Sequence, residues 1–261
     1  MPRFSANIDL LFTEHEFLDR FAAASRWNFP EVEILDPHAH DPDAMRAAAG
    51  DAGVSVTLVN TPIPKMKEGD RGAGVDPATR DRSQAEARQT VGTAAAIGAK
   101  RIHVMAGLAD PASSAAQDAF VEHVRFIADL ADEHGILAML EPLNPVDFPG
   151  YFLNDVYQAL ALRDRIARPN VFLQFDFYHN QIIHGDVIRL YRACYDQIGH
   201  IQIANPPDRR EPGVGELDYR FILEEVDRSG YHGPVSLEYR PSTDTESSLA
   251  WAAAYGIGVR D

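Results

Sequence analysis

Short apolar runs alternate along this chain with longer stretches whose apolar positions recur at helical spacing. The runs read as strands at 3–8 (RFSANI), 31–35 (EVEIL), 54–59 (VSVTLV), 101–105 (RIHVM), 136–141 (ILAMLE), 171–176 (VFLQFD), 199–204 (GHIQIA) and 234–238 (PVSLE). The longer stretches predict helices at 14–26, 42–51, 79–98, 113–134, 154–166, 185–197, 218–229 and 243–255. Ser113, Asn154 and Asp218 stand where an N-cap is needed, because their side-chain oxygens can take up a free backbone N–H of a first turn. Many helix-to-strand joints are short, polar and glycine-bearing, such as "EHG", "AIGAK" and "RSGYHG".

Eight strands, each followed by a helix and with no break in composition, predict one (β/α)8 TIM barrel domain spanning residues 1–261. A doubly wound open sheet is the alternative. It ordinarily carries a glycine-rich phosphate loop after its first strand, and "SANIDLLF" has none. The longest connection, 60–78 (NTPIPKMKEGDRGAGVDPA), is too polar and glycine-rich for a core, and loops of that length in compact domains are often functional.

Composition narrows the classes of function. The 261 residues are 45% hydrophobic and 24% charged, with a formal net charge of −15. So acidic a surface repels phosphate backbones and argues against nucleic acid as partner; it suits a soluble cytoplasmic protein. A single cysteine, Cys194, rules out an intrachain disulfide. The start "MPRFSANIDLLF" lacks the apolar region of a signal peptide, and no run reaches the roughly 18 apolar residues of a membrane span.

In a barrel of this kind chemistry belongs at the C-terminal strand ends. The fifth strand runs into Glu141, the sixth ends at Asp176 with His179 three residues on, the seventh carries Gln202, and the eighth ends at Glu238. Closure would bring these four side chains round one mouth. Three carboxylates in an apolar funnel repel each other and lose hydration, and a divalent cation relieves this while leaving them charged. An all-oxygen set without thiolate favours Mg²⁺ or Mn²⁺. Taken singly, each carboxylate also reads as a helix cap or a solvated loop residue, and Gln202 as a hydrogen-bonded core amide. His179 also reads as a loop histidine. His103 and His200, short of their strand ends, read as structural. Glu33 either reaches the mouth or pairs with a basic neighbour.

The stretches "RFSANIDLLF", "GDRG", "EPLNPVDFPGY", "QFDFYHNQ", "HIQIANPPDRREPGVGELDY" and "LEYRP", in that order, resemble the hydroxypyruvate isomerase family of xylose-isomerase-like TIM barrels. The resemblance runs from the first strand to about residue 255. It implies one divalent metal ion held by Glu141, Asp176, Gln202 and Glu238, with Glu141 and Glu238 as the acid/base pair. It implies substrate contacts for His179 and Arg209, and a homodimer as the assembly. Related ketose epimerases place histidine where this chain has Gln202. This chain reads "RREPG" where relatives commonly read "RGEPG", so Arg210 adds a charge near the mouth, and 73–82 also diverges.

The implied reaction is conversion of hydroxypyruvate to tartronate semialdehyde through an enediolate. Isomerisation or epimerisation of a larger sugar acid such as 2-oxo-tetronate is the alternative. An endonuclease IV-like phosphodiesterase is a remote one, and a catalytically silent binding barrel is a third. Three carboxylates and a dication leave about −1, so an anionic sugar-acid substrate needs cationic partners. Arg209 and Arg71 are the candidates, since a guanidinium fork can bond a carboxylate twice. Arg71, in the long loop after the third strand, would sit on a lid; as a solvated loop arginine it needs no function.

Overall fold

The computed structural model describes residues 2–63 and 71–259. Eight parallel strands close a barrel in chain order: β1 (Arg3–Asn7), β2 (Glu31–Ile34), β3 (Ser55–Asn60), β4 (Arg101–His103), β5 (Leu137–Leu140), β6 (Val171–Asp176), β7 (Ile198–Ile203) and β8 (Pro234–Leu237). The seam closes where β8 pairs with β1, Arg3 opposite Pro234 and Ala6 opposite Leu237. The predicted (β/α)8 barrel is therefore the fold found.

Outside the strands lie α1 (Asp19–Arg26), α2 (Pro42–Ala52), α3 (Arg80–Ile97), α4 (Ser114–Asp132), α5 (Val156–Ile166), α6 (Phe177–Ile183), α7 (Val187–Cys194), α8 (Tyr219–Arg228) and α9 (Thr245–Ser248). Ser113 and Asp218 cap α4 and α8, accepting from the backbone of Ala116 and of Arg220 and Phe221. Asp155, not Asn154, caps α5; it accepts from Gln158 N, while Asn154 N–H is taken by the Gln158 side chain. Helix α6 breaks the simple alternation. Its seven residues follow β6 directly, because the Asp176 carboxylate turns back to accept from Tyr178 N at 2.8 Å and starts a helix at once. The predicted 243–255 helix is the single turn α9 followed by a 3₁₀ segment, Ala250–Tyr255. Among the described residues no helix is long and apolar enough to cross a membrane.

Strand residues are buried on both faces because helices cover one face and barrel-filling side chains, many of them polar here, occupy the other. Three strand ends that bear on the site fall short of the predicted ones. Strands β5 and β8 stop at Leu140 and Leu237, so Glu141 and Glu238 stand one residue beyond, at the mouth. Strand β4 stops at His103, which makes that histidine a strand-end residue facing the cavity and not an interior one.

The loops after β3 and β4 lean on each other backbone to backbone. A Cβ on Gly72 (φ +114°) would lie 2.4 Å from the Met105 carbonyl oxygen, and one on Gly107 (φ +115°) 2.7 Å from that of Gly72. This contact sets Arg71 over the ring of Phe148, 5.7 Å from its centroid. Part of the expected functional loop, residues 64–70 with the Gly-Asp of "GDRG", lies outside the described residues.

His123 on α4 is buried beneath that loop, and burial lowers it to about 4 from an ordinary 6.5. The unfolded chain thus binds a proton here that the fold refuses. This contribution is intact above pH 6.5 and is lost as pH falls from 6.5 toward 4. Urea unfolding at pH 5 should show His123→Leu recovering roughly 2 kcal/mol relative to its effect at pH 8. An equal effect at both pH values would disprove the assignment.

Candidate active site

A cavity of about 230 Å³ opens at the C-terminal strand ends, and His103, Glu141, His179, Gln202, Arg209 and Glu238 line it. Leu10, Leu35, Asn60 and Ile63 form its far wall. A larger groove of about 570 Å³ runs between α3 and α4, lined by Arg80, Glu122, His123 and Phe126, but it holds none of the strand-end carboxylates. Of the predicted side chains, Glu141, His179, Gln202, Arg209 and Glu238 line the smaller cavity, while Asp176 and Arg71 are not among its lining residues.

Glu141, Asp176 and His179 bring one ligand-capable atom each within 4.8 Å of one another, all buried. Three carboxylate oxygens, Glu141 Oε1, Asp176 Oδ2 and Glu238 Oε2, are buried without a hydrogen-bond partner among the described residues. Burial dominates the protonation of all three groups. It holds Glu141 well above the usual carboxylate range, helped by Glu238 and Asp176. It pushes Asp176 up to about 6 and Glu238 up to about 8, although Arg209 opposes both shifts. Orphaned carboxylate oxygens held close together, as those of Glu141 and Asp176 are, are what a hard divalent cation satisfies, so this buried group fits a metal. Glu238 stands outside the tightest group, with Oε1 held by Arg209 Nη2 at 2.9 Å.

His179 is assigned a different part by its neighbours. Asn144 Oδ1 accepts the backbone N–H of Val146 and Asp147, so the amide nitrogen is the end facing His179 Nδ1, at 2.8 Å. The backbone N–H of Asn144 also points at Nδ1, at 3.1 Å. Both partners can only donate, so Nδ1 accepts, and burial keeps the ring neutral. The proton therefore sits on Nε2, and His179 offers an N–H, 3.6 Å from Asp176 Oδ2 and 4.0 Å from Glu141 Oε1. That is a hydrogen-bond donor for a substrate oxygen. As a metal ligand it would have to turn an Nδ1–H against Asn144.

Arg209 is reached through the tight "NPPDRR" turn and has φ +56°. Its Nε donates to the Glu238 carbonyl at 3.2 Å, its guanidinium lies 3.7 Å from Asp176 Oδ2, and the Tyr178 ring stacks 5.2 Å away. It is the buried cation of the cluster. Arg210 turns away from the cavity, donating to the carbonyls of Arg240 and Pro241.

Below the carboxylates lies a polar layer that supports Gln202 and Glu141, with Gln174 and Asn7 as its unpredicted members. Gln174 Nε2 donates to Glu141 Oε2 at 2.8 Å and to Gln202 Oε1 at 2.6 Å. His103 Nδ1 is 3.2 Å from the same Glu141 oxygen. Glu33 accepts from Asn7 Nδ2, His200 Nε2 and Gln202 Nε2. Burial alone would raise Glu33, but the hydrogen bonds from His200 and Gln202 outweigh it and hold it below its ordinary value. Glu33 thus pairs with a basic neighbour, as one of its two readings had it. A signal for this layer was present. Gln174 and His200 stand two residues before Asp176 and Gln202, on the same strand faces.

Known proteins give this site its setting. The profile of the Xylose isomerase-like TIM barrel family matches residues 21–255. The 2-oxo-tetronate isomerase of Cupriavidus necator is 40% identical over 98% of this chain and 99% of its own. The hydroxypyruvate isomerase of Escherichia coli is 34% identical over 98% of this chain and all of its own. A crystal structure of a family 2 AP endonuclease from Brucella melitensis superposes with a TM-score of 0.94 at 36% identity, covering 98% and 99% of the two chains. With its closed barrel and mouth of buried carboxylates, this chain belongs to the hydroxypyruvate isomerase family of xylose isomerase-like TIM barrels, an isomerase family.

Proposed function

We propose that the protein is a metal-dependent aldose–ketose isomerase of a short 2-oxo acid, acting on hydroxypyruvate through an enediolate. The observation that carries this reading is the set of three buried carboxylate oxygens without hydrogen-bond partners among the described residues, beside a neutral His179 N–H and the Arg209 cation. Glu141, Asp176, Glu238 and the Gln202 carbonyl oxygen would hold one Mg²⁺ or Mn²⁺. When bound, such an ion supplies charge stabilisation to the substrate's adjacent oxygens, a contribution of several kcal/mol.

The remaining work falls to side chains. One of Glu141 and Glu238 lifts a C3 proton and the other returns a proton to C2, while the hydroxyl proton passes to the former carbonyl oxygen. The reaction balances internally, with no oxidant or reductant. A positioned base contributes roughly 10²–10⁴ in rate. His179 Nε2–H bonds the oxygen on which charge builds, and Arg209 and Arg71 offset the substrate's carboxylate. Leu10, Leu35 and Ile63 on the far wall limit the access of water to the enediolate.

A four-carbon substrate, 2-oxo-tetronate, is the second reading. It is favoured by the name of the Cupriavidus necator relative and by the cavity's extension past the carboxylates to Leu10, Leu35 and Asn60. Proton NMR in D₂O with each acid, with Mg²⁺ or Mn²⁺ and then with EDTA, separates the two. Metal-dependent product from the three-carbon acid supports the first reading, and product from only the four-carbon acid supports the second. No deuterium exchange from either would overturn both. The same chelation should lower the thermal midpoint, since an ion present at 100 times its Kd stabilises by about 2.7 kcal/mol.

A further inference from the structure

We propose that Glu33 is a positioning residue that sets which end of the Gln202 amide faces the carboxylates. The inference rests on the reading of Gln202 as a metal contact. An amide has two ends of nearly equal size and opposite chemistry, and only its oxygen can approach a cation. What selects the end is the direction of the hydrogen bonds around it.

That direction can be traced to the main chain. The backbone N–H of Asp9 donates to Asn7 Oδ1 at 3.1 Å, and a backbone N–H can only donate. The other end of Asn7, its NH₂, therefore faces Glu33 and donates to Oε1 at 3.0 Å. The same oxygen receives Gln202 Nε2. The Gln202 oxygen is left pointing toward Gln174 Nε2 at 2.6 Å, and Gln174 sends its second N–H to Glu141 at 2.8 Å. Every donor along the path has an acceptor, and the Gln202 oxygen is aimed at the carboxylate side. Both strands that supply this layer's central members shift register at them, β2 against β3 at Val32/Glu33 and β6 against β7 at Leu173/Gln174. Such irregularities re-aim side chains next to functional sites.

The test compares Mn²⁺ binding to metal-free wild type, Gln202→Met, Glu33→Met, Glu33→Gln and the double variant Asn7→Asp/Glu33→Gln, by titration calorimetry. Thermal unfolding in EDTA checks that each is folded. Glu33→Gln should bind within about threefold of wild type. Asn7 still requires a carbonyl oxygen at that spot, and His200, whose Nδ1 has no partner among the described residues, can move its proton there to accept the new N–H. In the double variant, which keeps size and net charge, the carboxylate at position 7 draws the new NH₂ to the end facing Gln202. It and Glu33→Met should both bind Mn²⁺ 10–100-fold more weakly, the range for lost outer partners of a metal ligand.

If Gln202→Met is weakened while Glu33→Met and the double variant match wild type, the site reading stands and the role of Glu33 is overturned. If Gln202→Met itself matches wild type, Gln202 is no ligand and the underlying reading fails. Lower stability with unchanged Mn²⁺ affinity would mark Glu33 as structural only. Should both altered forms fail to fold, the wild type decides. Loading with Mg²⁺ should shift the Gln202 side-chain carbonyl ¹³C signal and leave its NH₂ signals in place, and the converse pattern would overturn the proposal.

Discussion

Glu141→Gln and Glu238→Gln are each expected to lower kcat/KM for the accepted 2-oxo acid by roughly 10²–10⁴ while making the metal-free protein more stable. The two effects share one cause. Each carboxylate is buried, and burial holds Glu141 well above its ordinary range and Glu238 up to about 8 from 4.5. For an acid raised in the fold, the unfolded chain releases its proton first as pH rises. The fold therefore carries an uncompensated cost above pH 4.5 that grows until about pH 8. At pH 7 that cost for Glu238 is roughly 3 kcal/mol, and a neutral amide of the same shape removes it.

Urea unfolding in EDTA at pH 7, run beside steady-state kinetics with metal, checks both halves. A gain in stability with a collapse in rate is the signature of groups kept for function. A parallel loss of both would mean that Glu141 and Glu238 hold the fold together, and the acid/base assignment would fall. With Mn²⁺ present the stability ranking should reverse, because the wild type then regains the ion's binding free energy and the variants do not.

Arg209→Met should be the most damaging single change at the mouth for stability. Arg209 is the buried cation against Glu238 at 2.9 Å and Asp176 at 3.7 Å, and it also bonds the Glu238 carbonyl. Removing one partner of a buried pair leaves an uncompensated charge, at a cost of about 3–5 kcal/mol. The neighbouring carboxylates can escape part of that by taking protons, so the loss should be largest at pH 8 and shrink toward pH 6. Rate should also fall by about 10²-fold in kcat/KM, since two charge-assisted hydrogen bonds are removed. Arg209→Lys keeps the charge but not the planar fork, and should recover most of the stability and part of the rate. A pH-independent loss, identical for Met and Lys, would show that only the guanidinium's packing on Tyr178 matters.

Much of this site could be read from the chain because its members sit where the backbone itself announces them. Glu141 and Glu238 each follow a buried apolar run, Asp176 ends another, and Gln202 stands near the end of a fourth. Parallel β/α succession is a local pattern, and right-handed crossovers leave few ways to arrange eight such units. The strand ends must then meet at one mouth. Several of the differences arise where local chemistry competes. The cap moved from Asn154 to Asp155, β4 stopped two residues early, and α6 formed because Asp176 captured the backbone of Tyr178.

The amide and histidine orientations belong to another level. The tautomer of His179 depends on Asn144, 35 residues away, and the end of Gln202 that faces the carboxylates depends on Glu33, 169 residues away. Hydrogen-bond direction across a closed barrel is set by which strands lie side by side and by the register between them. Two of those registers shift at Glu33 and Gln174. By itself the sequence determined the barrel and the residues at its mouth, because period and chain order are local properties. Which atom each residue presents was decided only by tertiary structure, because a donor finds its acceptor through space.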